Sequence, residues 1–529
     1  MVIMEEKKYK PITLVILDGW GLSDSLQGNV LKKANLPAID KLNKFYPLTA
    51  IQASGISVGI PWGESGNSEV GHMTMGAGRI IYQSLPRITL AIQDRSFFKN
   101  GSLLSAMNSA KKNKSSLHFL GLLGDGTVHS YTLHLYALLE MAKNHKIENV
   151  FVHVFTDGRD SSPTAGTKVI RDLGEKLKNY GIGKIASVCG RYWAMDRNNN
   201  WDRVEKAYRL LAEGKGEIIS DPVKYLQDSY AKETTDEYIE PAVVVENGRT
   251  LGLIKDKDSV IFFNFREDRS RELTKAFILP GFEKFRRPKM LDLNFVTMTE
   301  YEKDLPVAAA FPPTKIANGL GEILSKNNLK QFRVAETEKY AHVTYFFNGG
   351  KEDPWLGEER VLIPSPSVSK FDESPEMSAY KVTEKSIEAI KSGKYDFILI
   401  NYANADIVGH TGNEKACIAA AESIDKSLSI LVPEILNAGG CALITADHGN
   451  IEEIINKYSG EKDTEHSKNP VPLWFVTPDN GRERPTEEII REESQVSGLL
   501  SDVAPTILDI LKIKKPPEMN GESLLPLLK

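Results

Sequence analysis

Cysteine is scarce in this chain of 529 residues: Cys189, Cys417 and Cys441 stand far apart, and no pair has CxxC spacing. That excludes a thiolate zinc cluster and a secreted disulfide framework, and makes a reducing compartment the expectation. Long hydrophobic runs are missing as well. The longest, such as Ile12–Leu17, are far too short to cross a bilayer, so no membrane partner is expected. Residues 1–10 are charged and lack an apolar core, so a secretory signal is not expected and a cytoplasmic location is. Nor is there an excess of one charge. The 66 Lys and Arg against 71 Asp and Glu leave a formal net charge of -5, which offers no global handle for nucleic acid.

What remains is an ordinary folded mixture, 41% hydrophobic and 26% charged, with 40 Gly and 26 Pro. At about 150 residues per domain the length corresponds to three or four domains, fewer if large α/β units are present. Apolar runs that read as buried strands occupy 12–17, 117–123, 150–155, 260–265, 397–401, 441–445 and 473–476. They alternate with helical patterns, including a short late helix over 503–511 in which Pro505 comes early enough to be tolerated. Near-continuous apolar strands between helices predict an α/β fold, with mainly parallel, helix-covered sheets. Two stretches have the composition of hinges, 76–84 and 308–314, the second stiffened by Pro312 and Pro313.

Most of these strands run into reactive side chains, and sites in open α/β sheets lie at the carboxyl ends of strands. Asp18 follows the first run, Asp406 and His410 follow 397–401, and Asp447 and His448 follow 441–445. Asp406 and His410 are four apart and share a face if their segment is helical. His466 lies in a polar loop. Carboxylate and imidazole together suit Mn, Zn or Fe, and two such ions would stabilise both oxygens of a phosphoryl displacement.

Ser68 lies between Asn67 and Glu69 in a glycine-rich loop ahead of an expected helix. A helix N-terminus there would attract phosphate, and metal coordination would make this hydroxyl a nucleophile; a plain N-cap serine is the alternative. In the middle of the chain Arg159 and Asp160 follow a strand, Arg191 and Arg197 lie six apart, and Arg266 and Arg269 are spaced for one helical turn. With His129 they form a set suited to a small polyanion, against the alternative of surface pairing with Glu267 and Asp268.

Several segments in this order carry a resemblance: 17–21, 66–72, 157–160, 191–197, 263–269, 363–366, 375–378 and 446–450. Together they closely resemble the cofactor-independent (2,3-bisphosphoglycerate-independent) phosphoglycerate mutases of the alkaline phosphatase superfamily. The resemblance implies a phosphatase-like metal-binding domain formed by 1–82 and 314–529, carrying an inserted substrate-binding transferase domain at 83–313. It implies interconversion of 3-phosphoglycerate and 2-phosphoglycerate in glycolysis and gluconeogenesis, by a monomer with two divalent metal ions, Mn²⁺ by preference. Ser68 would be the phosphorylated nucleophile, with Lys339 assisting. Asp406, His410 and His466 would hold one ion, and Asp18, Ser68, Asp447 and His448 the other. Arg266 and Arg269 would grip the phosphate; His129, Arg159, Asp160, Arg191 and Arg197 would hold the glycerate, with Asp160 transferring protons. A metal-dependent phosphatase of the same superfamily is the alternative. The sequence departs from the usual pattern at Trp193 and at Asn198, Asn199 and Asn200.

Overall fold

The computed structural model describes residues 9–287, 291–456 and 459–528. The chain forms two compact units, one from Met1–Gln83 with Lys315–Lys529 and the other from Ser84–Thr314. That is fewer than length alone suggests, because each unit is built on one large sheet.

The first unit holds an eight-stranded sheet in the spatial order Glu358–Ile363, Gln331–Glu336, Phe397–Tyr402, Ile12–Leu17, Cys441–Thr445, Val471–Val476, Leu48–Gln52 and Val496–Leu499. The first five run parallel. Val471–Val476 is antiparallel to both of its neighbours. Ile12–Leu17 and Cys441–Thr445 are buried at every position, as strands covered on both faces must be. The carboxyl ends of the four strands from Gln331–Glu336 to Cys441–Thr445 therefore lie side by side along one edge of the sheet.

The second unit holds a sheet in the order Ala308–Phe311, Asn294–Thr299, Ser259–Phe262, Leu117–Leu123, Val150–Thr156, Lys184–Gly190, Ala242–Glu246 and Glu217–Ile219, with Arg249–Thr250 added beyond Ala242–Glu246. Its first six strands are parallel. Alternate side chains feed two cores: Leu117, Phe119 and Leu123 pack on one face, Leu120 and Leu122 on the other.

Three expectations need correction. The apolar run 260–265 leaves the sheet after Phe262, because the Asn264 side chain, rather than backbone, accepts from Leu122 N at 2.9 Å. Ala308–Phe311, expected within a hinge, is a strand. Arg266 and Arg269 do not share a helical turn: they lie in loop and turn, and the helix begins only at Arg271. The late helix spans Val503–Ile510. Among the described residues no helix is long and apolar enough to cross a membrane.

Candidate active site

The strand-end edge of the first unit gathers the acidic residues. Asp18 follows Ile12–Leu17, and Asp406 sits in the helix Asn404–Gly409 just after Phe397–Tyr402. Asp447 and His448 follow Cys441–Thr445, and Lys339 ends a short helical turn, Thr337–Lys339, after Gln331–Glu336. Close approach is built into the backbone. Gly19 has φ +78°, and a Cβ on it would lie 2.7 Å from the Asp406 backbone. A Cβ at Gly71 would meet Asp447 O at 2.7 Å, so only glycine lets this helix come so near.

Ser68 opens the helix Ser68–Ala77, and the cap is Asn67, whose side chain accepts from Val70 N at 3.1 Å. Ser68 is therefore not the N-cap. Its buried hydroxyl faces the acidic cluster instead. Oγ donates to Asp18 Oδ1 at 3.2 Å, lies 3.0 Å from His448 Nε2, and accepts from Lys339 Nζ at 2.6 Å. The same ammonium reaches Asp18 Oδ1 and Asp406 Oδ2, each at 2.6 Å. All three of its hydrogens thus have oxygen acceptors.

The charges do not balance. Asp18, Asp406 and Asp447 bring three carboxylates into a buried space where Lys339 supplies one ammonium. Burial, then the neighbouring Asp447, pushes the Asp18 carboxyl up. Burial works the same way on Asp406 but is outweighed by Lys339, His410 and His466, which hold it well below the ordinary carboxylate range. Asp447 is likewise held down, by His448, His72 and Lys339 against burial. Burial alone would depress the Lys339 ammonium; Asp18 and Asp406 more than reverse this and keep it above an ordinary lysine.

The imidazoles are set for a cation. His410 Nδ1 donates to Thr464 O at 2.7 Å and His466 Nδ1 to Gly66 O at 2.8 Å, which turns both Nε2 atoms inward. These Nε2 atoms lie 3.0 Å apart, at 3.2 and 3.0 Å from Asp406 Oδ1. Neutral rings so placed oppose two lone pairs, which only a proton or a metal ion relieves. The ligand atoms of Asp406, His448 and His466 all lie within 4.8 Å of one another, and so do those of Asp18, Asp447 and His448. Asp447 Oδ2 is buried, with the His72 ring as its near neighbour at 3.2 Å. Donor type, convergence and charge all fit divalent metal ions, with His448 at the meeting point of the two groups.

Other polar residues in this cluster were not singled out from the sequence. Asn401 Nδ2 donates to Asp18 Oδ2 at 2.8 Å, Asn450 Nδ2 donates to Asp406 Oδ1 at 3.1 Å, and His72 Nδ1 lies 3.2 Å from Asp447 Oδ2. Asn450 and His72 fall within the segments that carried the resemblance, and Asn401 closes an apolar strand; only tertiary placement reveals what each one touches.

The other expected residues gather in the second unit, again at strand ends. Arg191, buried at the end of Lys184–Gly190, donates from Nη1 to Asp157 Oδ1 and to Asp160 Oδ2, both at 2.5 Å. His129 lies between Asp160 Oδ2 (3.7 Å) and Asp268 Oδ1 (3.6 Å). Burial and then Arg191 push its imidazole down to about 4, so the ring is neutral at ordinary pH. Asp268 also takes Arg197 Nη1 at 2.8 Å and Arg266 Nε at 3.3 Å. Arg269 donates to Met195 O at 3.1 Å, and its guanidinium is lowered by burial and then by Arg191, Arg197 and Arg159. Arg159 is half exposed, 3.6 Å from Glu237. Asp157 bonds Arg191, and Asp268 pairs with Arg197 and Arg266, so the pairing with Asp268 weighed from the sequence is present. The departures fall beside this cluster: Asn198 and Asn200 donate backbone N–H to Asp196 Oδ1, each at 2.9 Å, and Trp193 lies under Lys206.

Comparison with known proteins gives this arrangement a family. Residues 88–303 match the family described as BPG-independent PGAM N-terminus. The chain is 48% identical over 517 residues to the 2,3-bisphosphoglycerate-independent phosphoglycerate mutase of Clostridium botulinum (strain Langeland), covering 98% of this chain and 99% of that one. It is 46% identical to the corresponding protein of Moorella thermoacetica, covering 98% of each. A crystal structure of Leishmania mexicana phosphoglycerate mutase at low cobalt concentration shares 29% identity and a TM-score of 0.54, over 98% of both chains. With such identity along nearly its whole length, the chain belongs to the 2,3-bisphosphoglycerate-independent phosphoglycerate mutase family of isomerases.

Proposed function

We propose that the chain interconverts 3-phosphoglycerate and 2-phosphoglycerate through a phosphoserine at Ser68, without bisphosphoglycerate, as a cytoplasmic monomer serving glycolysis and gluconeogenesis. One observation carries this reading: the buried Ser68 Oγ, with Asp18 accepting its hydrogen at 3.2 Å and the Lys339 ammonium 2.6 Å away. The hydroxyl proton has an acceptor, and the oxygen it leaves has a cation beside it. A bond forms from Oγ to phosphorus as the bond from phosphorus to the substrate oxygen breaks, leaving phosphoserine and glycerate.

Two divalent ions, for which Mn²⁺ suits mixed carboxylate and imidazole donors, would be held by Asp406, His410 and His466 and by Asp18, Ser68, Asp447 and His448, lowering the pKa of the serine hydroxyl and offsetting charge on the phosphoryl oxygens. Lys339 stabilises the same developing charge from the protein side. In the second unit Arg266 and Arg269 grip phosphate, and His129, Arg159, Arg191 and Arg197 retain the glycerate while it turns to present its other hydroxyl. Asp160, held by Arg191 at 2.5 Å, takes and returns the hydroxyl proton.

A metal-dependent phosphatase would need only the Ser68 centre and would pass the phosphoryl group to water. The cluster of Arg191, Arg197, Arg266 and Arg269 favours retention of the organic product over that reading. The deciding experiment supplies 3-phosphoglycerate to chelated protein, with metals restored one at a time and no bisphosphoglycerate present. The mutase reading expects 2-phosphoglycerate far in excess of free phosphate. Stoichiometric free phosphate would establish the phosphatase instead.

A further inference from the structure

Two segments that carried the family resemblance, 363–366 and 375–378, hold none of the residues assigned above. The structure gives them a common centre in Glu336, the last residue of the strand Gln331–Glu336 and fully buried. Glu336 Oε1 accepts from Ser378 N at 2.9 Å, and Ser378 Oγ donates to Pro364 O at 2.8 Å. Ser365 N donates to Thr337 Oγ1 at 3.2 Å, and Thr337 opens the helical turn Thr337–Lys339. On the far side Asn404 Nδ2 donates to Pro375 O at 2.9 Å, and Asn404 opens the helix that carries Asp406.

These bonds make a closed circuit. From Lys339 it runs through Thr337 to the 363–366 segment, through Ser378 and Glu336 back to the strand end, and through Pro375 and Asn404 to Asp406. Lys339 and Asp406 then meet at 2.6 Å. Glu336 Oε2 and the Ser365 hydroxyl are both buried and lie beside each other, so the carboxyl has capacity beyond the bond to Ser378. Burial lifts this carboxyl to about 7, well above an ordinary glutamate. A buried acceptor at this point does what an apolar residue cannot: it satisfies the Ser378 N–H where two crossing segments meet the sheet edge.

We propose that Glu336 is a positioning residue, whose buried carboxyl ties the 363–366 and 375–378 segments to the Lys339 turn and so sets where the Lys339 ammonium meets Ser68 Oγ. The proposal rests on the phosphoserine reading above.

The test compares Glu336→Leu, which fills the space without an acceptor, with Glu336→Gln, whose amide oxygen still accepts from Ser378 N and whose NH₂ reaches the Ser365 hydroxyl. Purified, metal-loaded proteins are assayed for kcat, KM and the rate of Ser68 phosphorylation. Misplacing a reacting group by a fraction of an ångström to one ångström lowers rate by about 10- to 100-fold, so E336L should lose that much kcat and phosphorylation rate with KM within about twofold. E336Q should keep most of both. Thr337→Val, which cuts only the bond to Ser365 N, covers the case in which E336L does not fold and should lower kcat by about three- to tenfold with KM unchanged. The proposal is overturned if E336L, or T337V where E336L is not recovered, keeps wild-type kcat, if E336Q is as impaired as E336L, or if KM alone changes. Wild-type protein without mutase activity would overturn the functional reading instead, so the two failures are distinct.

Discussion

Replacing Lys339 by Met removes one charge and leaves most of the side-chain stem in place. In the native protein that ammonium bonds Ser68 Oγ, Asp18 Oδ1 and Asp406 Oδ2 at 2.6 Å each. Without it, three buried carboxylates face one another with no fixed cation. Removing one partner of a buried ion pair costs about 3–5 kcal/mol, and in a domain of this size each kcal/mol moves Tm by ~2 °C, so chelated K339M should melt about 6–10 °C below chelated wild type. Added Mn²⁺ should narrow the gap, because ions bound between the same carboxylates replace part of the missing charge. Activity should stay low even then, by about 10²–10³ in kcat, since no ion stands where Lys339 faces the transferring group. Thermal unfolding followed by circular dichroism, with and without Mn²⁺, reads the first two effects, and a coupled mutase assay the third. A chelated K339M protein as stable as wild type would refute the charge argument, and a fully active one would remove Lys339 from the chemistry.

Arg191→Met removes the guanidinium nitrogen that Asp157 and Asp160 share, so kcat/KM should fall by about 100-fold while metal content, read by elemental analysis, is unchanged. His466→Ala should reduce bound Mn²⁺ from two ions per chain toward one; a variant that still holds two tightly would remove His466 from the ligand set. A third prediction concerns a buried chain across the second sheet, in which His118 Nε2 donates to Asp258 at 3.1 Å, His153 Nε2 donates to His118 Nδ1 at 3.0 Å, and Ser187 donates to His153 Nδ1 at 2.8 Å. Burial depresses both imidazoles, His153 well below the ordinary value and further through His118. The unfolded chain therefore binds protons that the folded one refuses. The stability from this chain is full above about pH 6.5 and is lost as pH falls toward the folded values. Urea midpoints should drop between neutral and mildly acid pH, and drop less in His153→Gln; an equal drop in both would contradict the assignment.

The parts of this fold that sequence reveals are those where burial alone dictates the backbone. Ile12–Leu17, Leu117–Leu123 and Cys441–Thr445 are apolar at nearly every position because both faces of each strand are covered. The same cue misleads at Phe263 and Phe265, which are buried yet lie outside any strand, because the Asn264 side chain takes over the ladder bond to Leu122. Short edge strands such as Glu217–Ile219 and Arg249–Thr250, three and two residues long and largely exposed, give no run long enough to read as a strand. At the site, Asp18, Asp406 and Asp447 are visible as acids at the ends of strands that prove to be neighbours. Asn401 is not, since an isolated Asn acquires meaning only from the partner that tertiary structure brings to it. Although Asp157 and Asp268 stand beside the arginines in sequence, only the fold shows Arg191 joining Asp157 to Asp160 and Asp268 taking Arg197 as well as Arg266.

The central claim is that Ser68 carries the phosphoryl group between two positions of one small acid. Its most direct measurement is a rapid acid quench of Mn²⁺-loaded protein turning over radiolabelled 3-phosphoglycerate, followed by peptide mapping. The account predicts label on the peptide containing Ser68 and in 2-phosphoglycerate, little label in free phosphate, and loss of both label and turnover in Ser68→Ala. Turnover at the full rate with Ser68 unlabelled, or in the alanine variant, would contradict it.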